Sequence, residues 1–188
     1  MRKAMFMAAA IFCSGLHATD AAGPLTIHTY DVHGSTVNEI VRDLDRNSPL
    51  ILQGRRMQGV TEWKIRTSYT WHMEGNRCVL DQFNATLTVE MTLPHWVQPR
   101  RASPQLVQQW ERYIAALRNH ENGHFEIGED AQQEMLTRAK SLGPTTDCQI
   151  LAQQINDLVD AVSDAHHRLE LEYDEETKHG ETQGAHFP

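Results

Sequence analysis

His120-Glu121-Asn122-Gly123-His124 is a HExxH motif, and its residue types and spacing point to metal-assisted hydrolysis. Residues four apart lie one above the other on a helix, so both imidazoles can reach one tetrahedral metal ion. Glu121 stands beside the first ligand, where it can act as general base toward the water that such an ion activates and then protonate a leaving amine.

The preceding segment supplies the helix this chemistry needs. Leu106, Val107, Trp110, Tyr113, Ile114 and Leu117 recur at helical spacing, and Ser103-Pro104 offers an N-cap followed by proline at the first helical position. His120, His124 and Ile127 continue the apolar stripe beyond Leu117, so the histidines are expected to point inward. Helical composition persists to Leu142-Gly143-Pro144. A second helix is expected from about Gln149 to Glu172, with Ile150, Leu151, Ile155, Leu158, Val159, Val162 and Leu169 at helical spacing.

Upstream, Thr26 to Val32 alternates like a strand that ends at Gly34. Thr36-Val37-Asn38-Glu39 fits a capping box leading a short helix with Val37, Ile40, Val41 and Leu44 inward, ending before Ser48-Pro49. Trp63, Ile65, Thr67, Tyr69 and Trp71 share one strand face, and Phe83, Ala85, Leu87, Val89 and Met91 share a face of the next strand. Gly75-Asn76 is the turn signal between them, and Pro94 and Pro99 are expected to close the sheet. The order predicts an α+β fold: a small antiparallel sheet, a long HExxH helix and a second C-terminal helix in one zincin-like domain. On composition, Tyr173 to Gly180 reads as a polar turn leading into a solvated end.

The N-terminus has the makings of a signal peptide: a basic Met1-Arg2-Lys3, then an apolar run from Ala4 to Phe12 too short to span a bilayer. Small residues at Ala18, Ala21 and Ala22 offer cleavage points, which gives a signal peptide over residues 1–22 and a metallopeptidase-like domain over 23–188. Removing that segment removes Cys13 and leaves Cys78 and Cys148. An even pair in an exported chain suggests one disulfide, closing a loop of about seventy residues between a strand and the start of the last helix. The remaining length of about 165 residues suits one domain with one sizeable core. A net charge of −8, with no basic cluster or aromatic platform, disfavours nucleic acid. No later segment is apolar enough to span a membrane, so a secreted or periplasmic protein is expected.

Several separate motifs carry a family resemblance: Tyr30 with Gly34-Ser35-Thr36, Thr61-Glu62-Trp63, Cys78, Thr92-Leu93-Pro94-His95-Trp96, the HExxH, Asp147-Cys148, Tyr173-Asp174, Thr177-Lys178-His179-Gly180 and Gly184-Ala185-His186-Phe187-Pro188. Together they resemble a bacterial family of secreted proteins predicted to be zinc-dependent proteases, the domain of unknown function numbered 922. The resemblance covers nearly all of the chain after residue 22. It implies that Tyr173-Asp174 and His179-Gly180 belong to an ordered site segment and not to a frayed end.

Catalytic zinc sites generally use three protein ligands, so a third is needed besides His120 and His124. No histidine follows Gly128 at the spacing of the metzincin extension. His179 ranks first, as an imidazole in a glycine-flanked turn where the chain can fold back; Asp174 is second and His166 third, and Glu170 or Glu172 would give a glutamate site. Tyr173 is the expected donor to a developing oxyanion. The sequence thus predicts an exported metallopeptidase with one Zn2+ per chain, acting on a peptide or protein substrate. Two rivals stand beside it: a non-catalytic exported metal-binding scaffold, and a zinc amidase acting on cell-wall peptides.

Overall fold

The computed structural model describes residues 25–188 apart from Gln53, so the expected signal peptide and Cys13 lie outside the described residues. The chain builds β1 (Leu25–Val32), α1 (Val37–Asn47), a small hairpin of β2 (Ile51–Leu52) and β3 (Arg55–Arg56), β4 (Val60–Glu74), β5 (Arg77–Trp96), α2 (Pro104–Ala139), α3 (Cys148–Thr177) and a 3-10 turn at Glu181–Gln183. This is an α+β fold. Among the described residues no helix is long and apolar enough to cross a membrane.

The long hairpin of β4 and β5 is the centre of the sheet. Gly75 takes a positive φ of 64° at the two-residue turn, where glycine carries no steric cost. Ala85, Leu87, Val89, Met91 and Leu93 alternate inward along β5 and are buried, with Trp63 opposite Val89 and Ile65 opposite Leu87. A register shift between Thr70 and Trp71 ends this alternation. It sets Trp71 opposite Leu80 and leaves its side chain 48% exposed, so the core face expected to include Trp71 stops at Tyr69.

Two further expectations are corrected. The sheet is mixed, in the order β1-β5-β4, because β1 joins the free edge of β5 in parallel while β4 pairs with it antiparallel. Alternation along β1 reads the same for either direction, so sequence pattern does not distinguish them. Pro94 does not end the sheet, since β5 runs on to Trp96. The ladder with β4 stops at Thr92, so Pro94 has a strand neighbour on one side only, a position that tolerates the missing N–H.

The three expected helices form with their N-caps in place. Thr36 Oγ1 accepts from Glu39 N, while the Glu39 carboxylate accepts from Ser35 N at 2.7 Å. Ser103 Oγ accepts from Leu106 N ahead of Pro104. The 36-residue α2 lays Leu106, Trp110, Tyr113 and Leu117 against Met91, Leu93 and Trp96 of β5 in one core cluster. Further along, Ala131, Met135 and Ala139 meet Leu158 and Val162 of α3. Contacts between α2 and α3 run from Glu134 with His166 back to His120 with Thr177, so the two helices are antiparallel.

Two ties fix α3. At its start Cys78 and Cys148 form the expected disulfide, flanked by backbone hydrogen bonds exchanged between Cys78 and Thr145. At its end the helix outlasts the prediction by five residues, closing at Thr177 with Lys178 in the left-handed conformation. Tyr173 to Thr177 is therefore helix and not polar turn. The last residues return to the core, where Phe187 is buried with its ring edge-on to Trp110 and Tyr113.

Candidate metal centre

The stripe that buries Leu106, Trp110, Tyr113 and Leu117 continues without a break through His120 and His124, which are 3% and 8% exposed. Across from them α3 presents Asp174. His120 Nε2 and His124 Nε2 each lie 3.2 Å from the same oxygen, Asp174 Oδ1. His120, His124 and Asp174 each offer a ligand atom within 4.8 Å of the others and can hold a metal ion.

Each of these side chains is aimed by a neighbour. His120 Nδ1 donates to Gln183 Oε1 at 3.1 Å, which leaves Nε2 facing Asp174. His124 Nδ1 lies 3.7 Å from Glu170 Oε1, and Glu170 is itself fixed by Trp63 Nε1, which donates to it at 2.7 Å. Tyr173 stacks on the His120 ring at 5.0 Å and meets the His124 ring edge-on. Gly123 makes room for this tyrosine, because a Cβ there would stand 2.3 Å from its hydroxyl.

Charge and burial oppose each other here. Burial works against ionisation of Asp174, yet hydrogen bonds from His120 and His124, with positive charge on His124 and His179, hold its carboxyl well below the usual range. Burial also works against a charged His124, but its bonds to Asp174 and Glu170 outweigh that and raise it to about 9. Glu121 is buried beside them, and burial raises its carboxyl; Thr61, which donates to Glu121 Oε2 at 2.8 Å, offsets part of the rise.

Of the third-ligand candidates, Asp174 and His179 are brought to the two histidines and His166 is not. Asp174 belongs to the convergent group, because α3 continues far enough to turn it toward α2. His179 stands next to the group, its Nδ1 3.3 Å from Asp174 Oδ1. That nitrogen is buried and has no hydrogen-bond partner among the described residues. It reaches this place through three successive left-handed residues, Lys178, His179 and Gly180, the first two at the cost of steric strain. Gly180 also lies against the His120 ring, where a Cβ would approach to 2.9 Å.

The other expected site residues are placed elsewhere. His166 is two turns back on α3 and its Nε2 pairs with Glu134 at 3.0 Å, away from the metal group. Glu172 faces outward. The Tyr173 hydroxyl, the expected oxyanion donor, donates to His120 O at 3.2 Å and packs against the α2 backbone at Gly123. Sequence reasoning missed Gln183, Glu170 and Thr61 as aiming groups, and His186, which the returning chain end brings into the cleft.

The donor chemistry fits a divalent cation. Two imidazoles and a carboxylate converge at distances suited to sharing one ion, and the buried Nδ1 of His179 adjoins them without a hydrogen-bond partner among the described residues. The group opens into a cleft of about 510 Å³ whose lining includes Glu121, Thr61 and His179.

Fold and site together define an α+β domain with a candidate metal centre built between two antiparallel helices and open to a cleft. The chain belongs to the family described as bacterial protein of unknown function, DUF922, whose model matches residues 27–180. The match runs from β1 to Gly180 and contains His120, Glu121, His124, Asp174 and His179, while Gln183 and His186 lie beyond it. Comparisons with curated proteins and with solved structures give no match.

Proposed function

We propose that this protein is an exported zinc-dependent peptidase of zincin type. One observation carries the reading: the convergence of His120, His124 and Asp174 beside the buried carboxylate of Glu121, in an open cleft. His120, His124 and Asp174 would hold the ion. When bound, zinc supplies a Lewis acid for a carbonyl and lowers the pKa of a water toward neutrality.

The chain's own residues do the rest. Thr61 holds Glu121 Oε2, which leaves Oε1 to take a proton from the attacking water and deliver it to the leaving nitrogen. A carboxyl whose pKa burial has raised is better matched to that shuttle than an ordinary glutamate. Gln183 and Glu170 keep the two imidazoles in register. Among the described residues β4 is an edge strand, and its first residues line the same cleft, so an extended peptide can add to the sheet there. The disulfide supports an oxidising destination, in line with a signal peptide over residues 1–22.

The buried Nδ1 of His179, 3.3 Å from Asp174 Oδ1, favours one other reading, a scaffold whose ion is closed by a fourth protein ligand. Glu121→Gln tests the enzyme against it. The variant is expected to keep its metal and to lose at least about a hundredfold in cleavage of a reduced, alkylated protein. Equal cleavage by wild type and variant, or none by metal-loaded wild type, would count against the peptidase.

A further inference from the structure

A second compartment of about 490 Å³ adjoins the cleft of the metal centre, and the two share Leu52, Val60, Thr61, His124 and Asp174. They are therefore two halves of one groove that meet at the candidate ligands. The second half differs in character. Leu52, Val60, Trp63 and Leu171 line it. Leu52 is 45% and Leu171 52% exposed.

A single exposed leucine on a surface needs no explanation. Here two of them line one compartment that also holds a tryptophan ring and ends at the metal group. The polar atom of that tryptophan is already satisfied, since Trp63 Nε1 donates to Glu170 at 2.7 Å, so its ring asks for no hydrogen bond from a ligand. The compartment's charged lining is mainly acidic: Asp174 faces the two imidazoles and Glu170 accepts from Trp63, which leaves Glu62 and Asp164 against Lys64 and disfavours an acidic side chain. Along the same wall runs β4, with no strand paired on the side away from β5 among the described residues.

We propose that this compartment is the specificity subsite of the peptidase, and that the substrate is an extended polypeptide segment carrying a bulky apolar side chain, leucine or phenylalanine in size, next to the scissile bond. The backbone adds to the edge of β4 and the apolar side chain lies among Leu52, Trp63 and Leu171. Position next to the scissile bond follows from the shared walls, because His124 and Asp174 line the subsite themselves. The inference rests on the peptidase reading above, and it adds which peptides are taken.

Binding tests it without depending on turnover. Two sets of tripeptide hydroxamates, with the chelating group at the C-terminus in one and the N-terminus in the other, sample both sides of the scissile bond. In each set the residue next to the chelator is Leu, Phe, Ala, Asp or Arg, and Kd is measured by calorimetry on zinc-loaded wild type and on Leu171→Ser. Leu171 is half exposed, so the change leaves the core intact. In at least one set Leu or Phe is expected to bind about tenfold or more tighter than Ala and Asp. Leu171→Ser should shrink that preference while zinc content stays the same. Equal affinities for Leu and Ala in both sets, tighter binding of Arg than of Leu, or a preference unchanged in Leu171→Ser, would overturn the subsite and leave the peptidase standing. A protein that takes up no zinc, or a zinc-loaded protein that binds no hydroxamate, would overturn both.

Discussion

An imidazole ligand is only as good as its aim, and His120 is aimed from the far end of the chain. Gln183 accepts from its Nδ1, Tyr173 stacks on its ring and Gly180 lies against it. Removing the amide frees the ring and lets the proton move to the nitrogen that must face the ion. Gln183→Ala is therefore expected to weaken metal binding by about 10- to 100-fold with little change in fold, as losses of such orienting groups do. Competition for zinc against a chromophoric chelator reads this directly, and an unchanged affinity would remove Gln183 from the site. No spacing rule marks Gln183, because it lies 63 residues from its partner in a turn that exists only once the C-terminus has folded back. His120 and His124 were legible for the opposite reason: four residues within one helix fix their relation before any tertiary contact forms.

At the scale of elements the centre is a meeting of two helices, and its charge balance follows from that. Without metal, His124 on α2 keeps a proton to about pH 9 because Asp174 and Glu170 of α3 face it. A histidine raised on folding lends stability that is complete below its ordinary value of 6.5 and is lost as the pH rises through about 9. The same proton must leave before the nitrogen can bind an ion. Between pH 6.5 and 9 the metal-stripped protein should therefore lose thermal stability while its affinity for zinc rises. Thermal unfolding and zinc titration across that window check both slopes; parallel slopes would show that His124 does not carry the linkage. The pairing of helices also explains why Asp174 meets the two histidines. His166, Glu170 and Asp174 are spaced four apart, so once α3 is carried to Thr177 they form one stripe facing α2. Ending the helix at Glu172 hides that stripe, since the acidic run after Tyr173 reads as a solvated turn on composition while its packing against Gly123 and His120 is tertiary.

For the molecule as a whole, the centre depends on holding α3 at both ends. The disulfide closes 70 residues between β5 and the first residue of α3, and Phe187 seats the chain end among Trp110 and Tyr113. Replacing both cysteines by serine is expected to cost about 4 kcal/mol, roughly 8–16 °C in Tm for a domain of this size, measured by thermal unfolding at one pH and metal load. The pair was legible from cysteine count and the apparent signal segment; the parallel pairing of β1 was not, because it is set by how α1 and the β2–β3 hairpin return the chain and not by any pattern within the strand.

Metal content, by elemental analysis of the purified chain after residue 22, bears most directly on the centre, with His120→Ala, Asp174→Ala and His179→Ala run beside wild type. About one zinc per chain is expected in wild type and in His179→Ala, and its loss in His120→Ala and Asp174→Ala. Loss in His179→Ala as well would make the site a closed four-ligand one and favour a scaffold over an enzyme; a wild type that neither purifies with metal nor takes it up would contradict the metal centre itself.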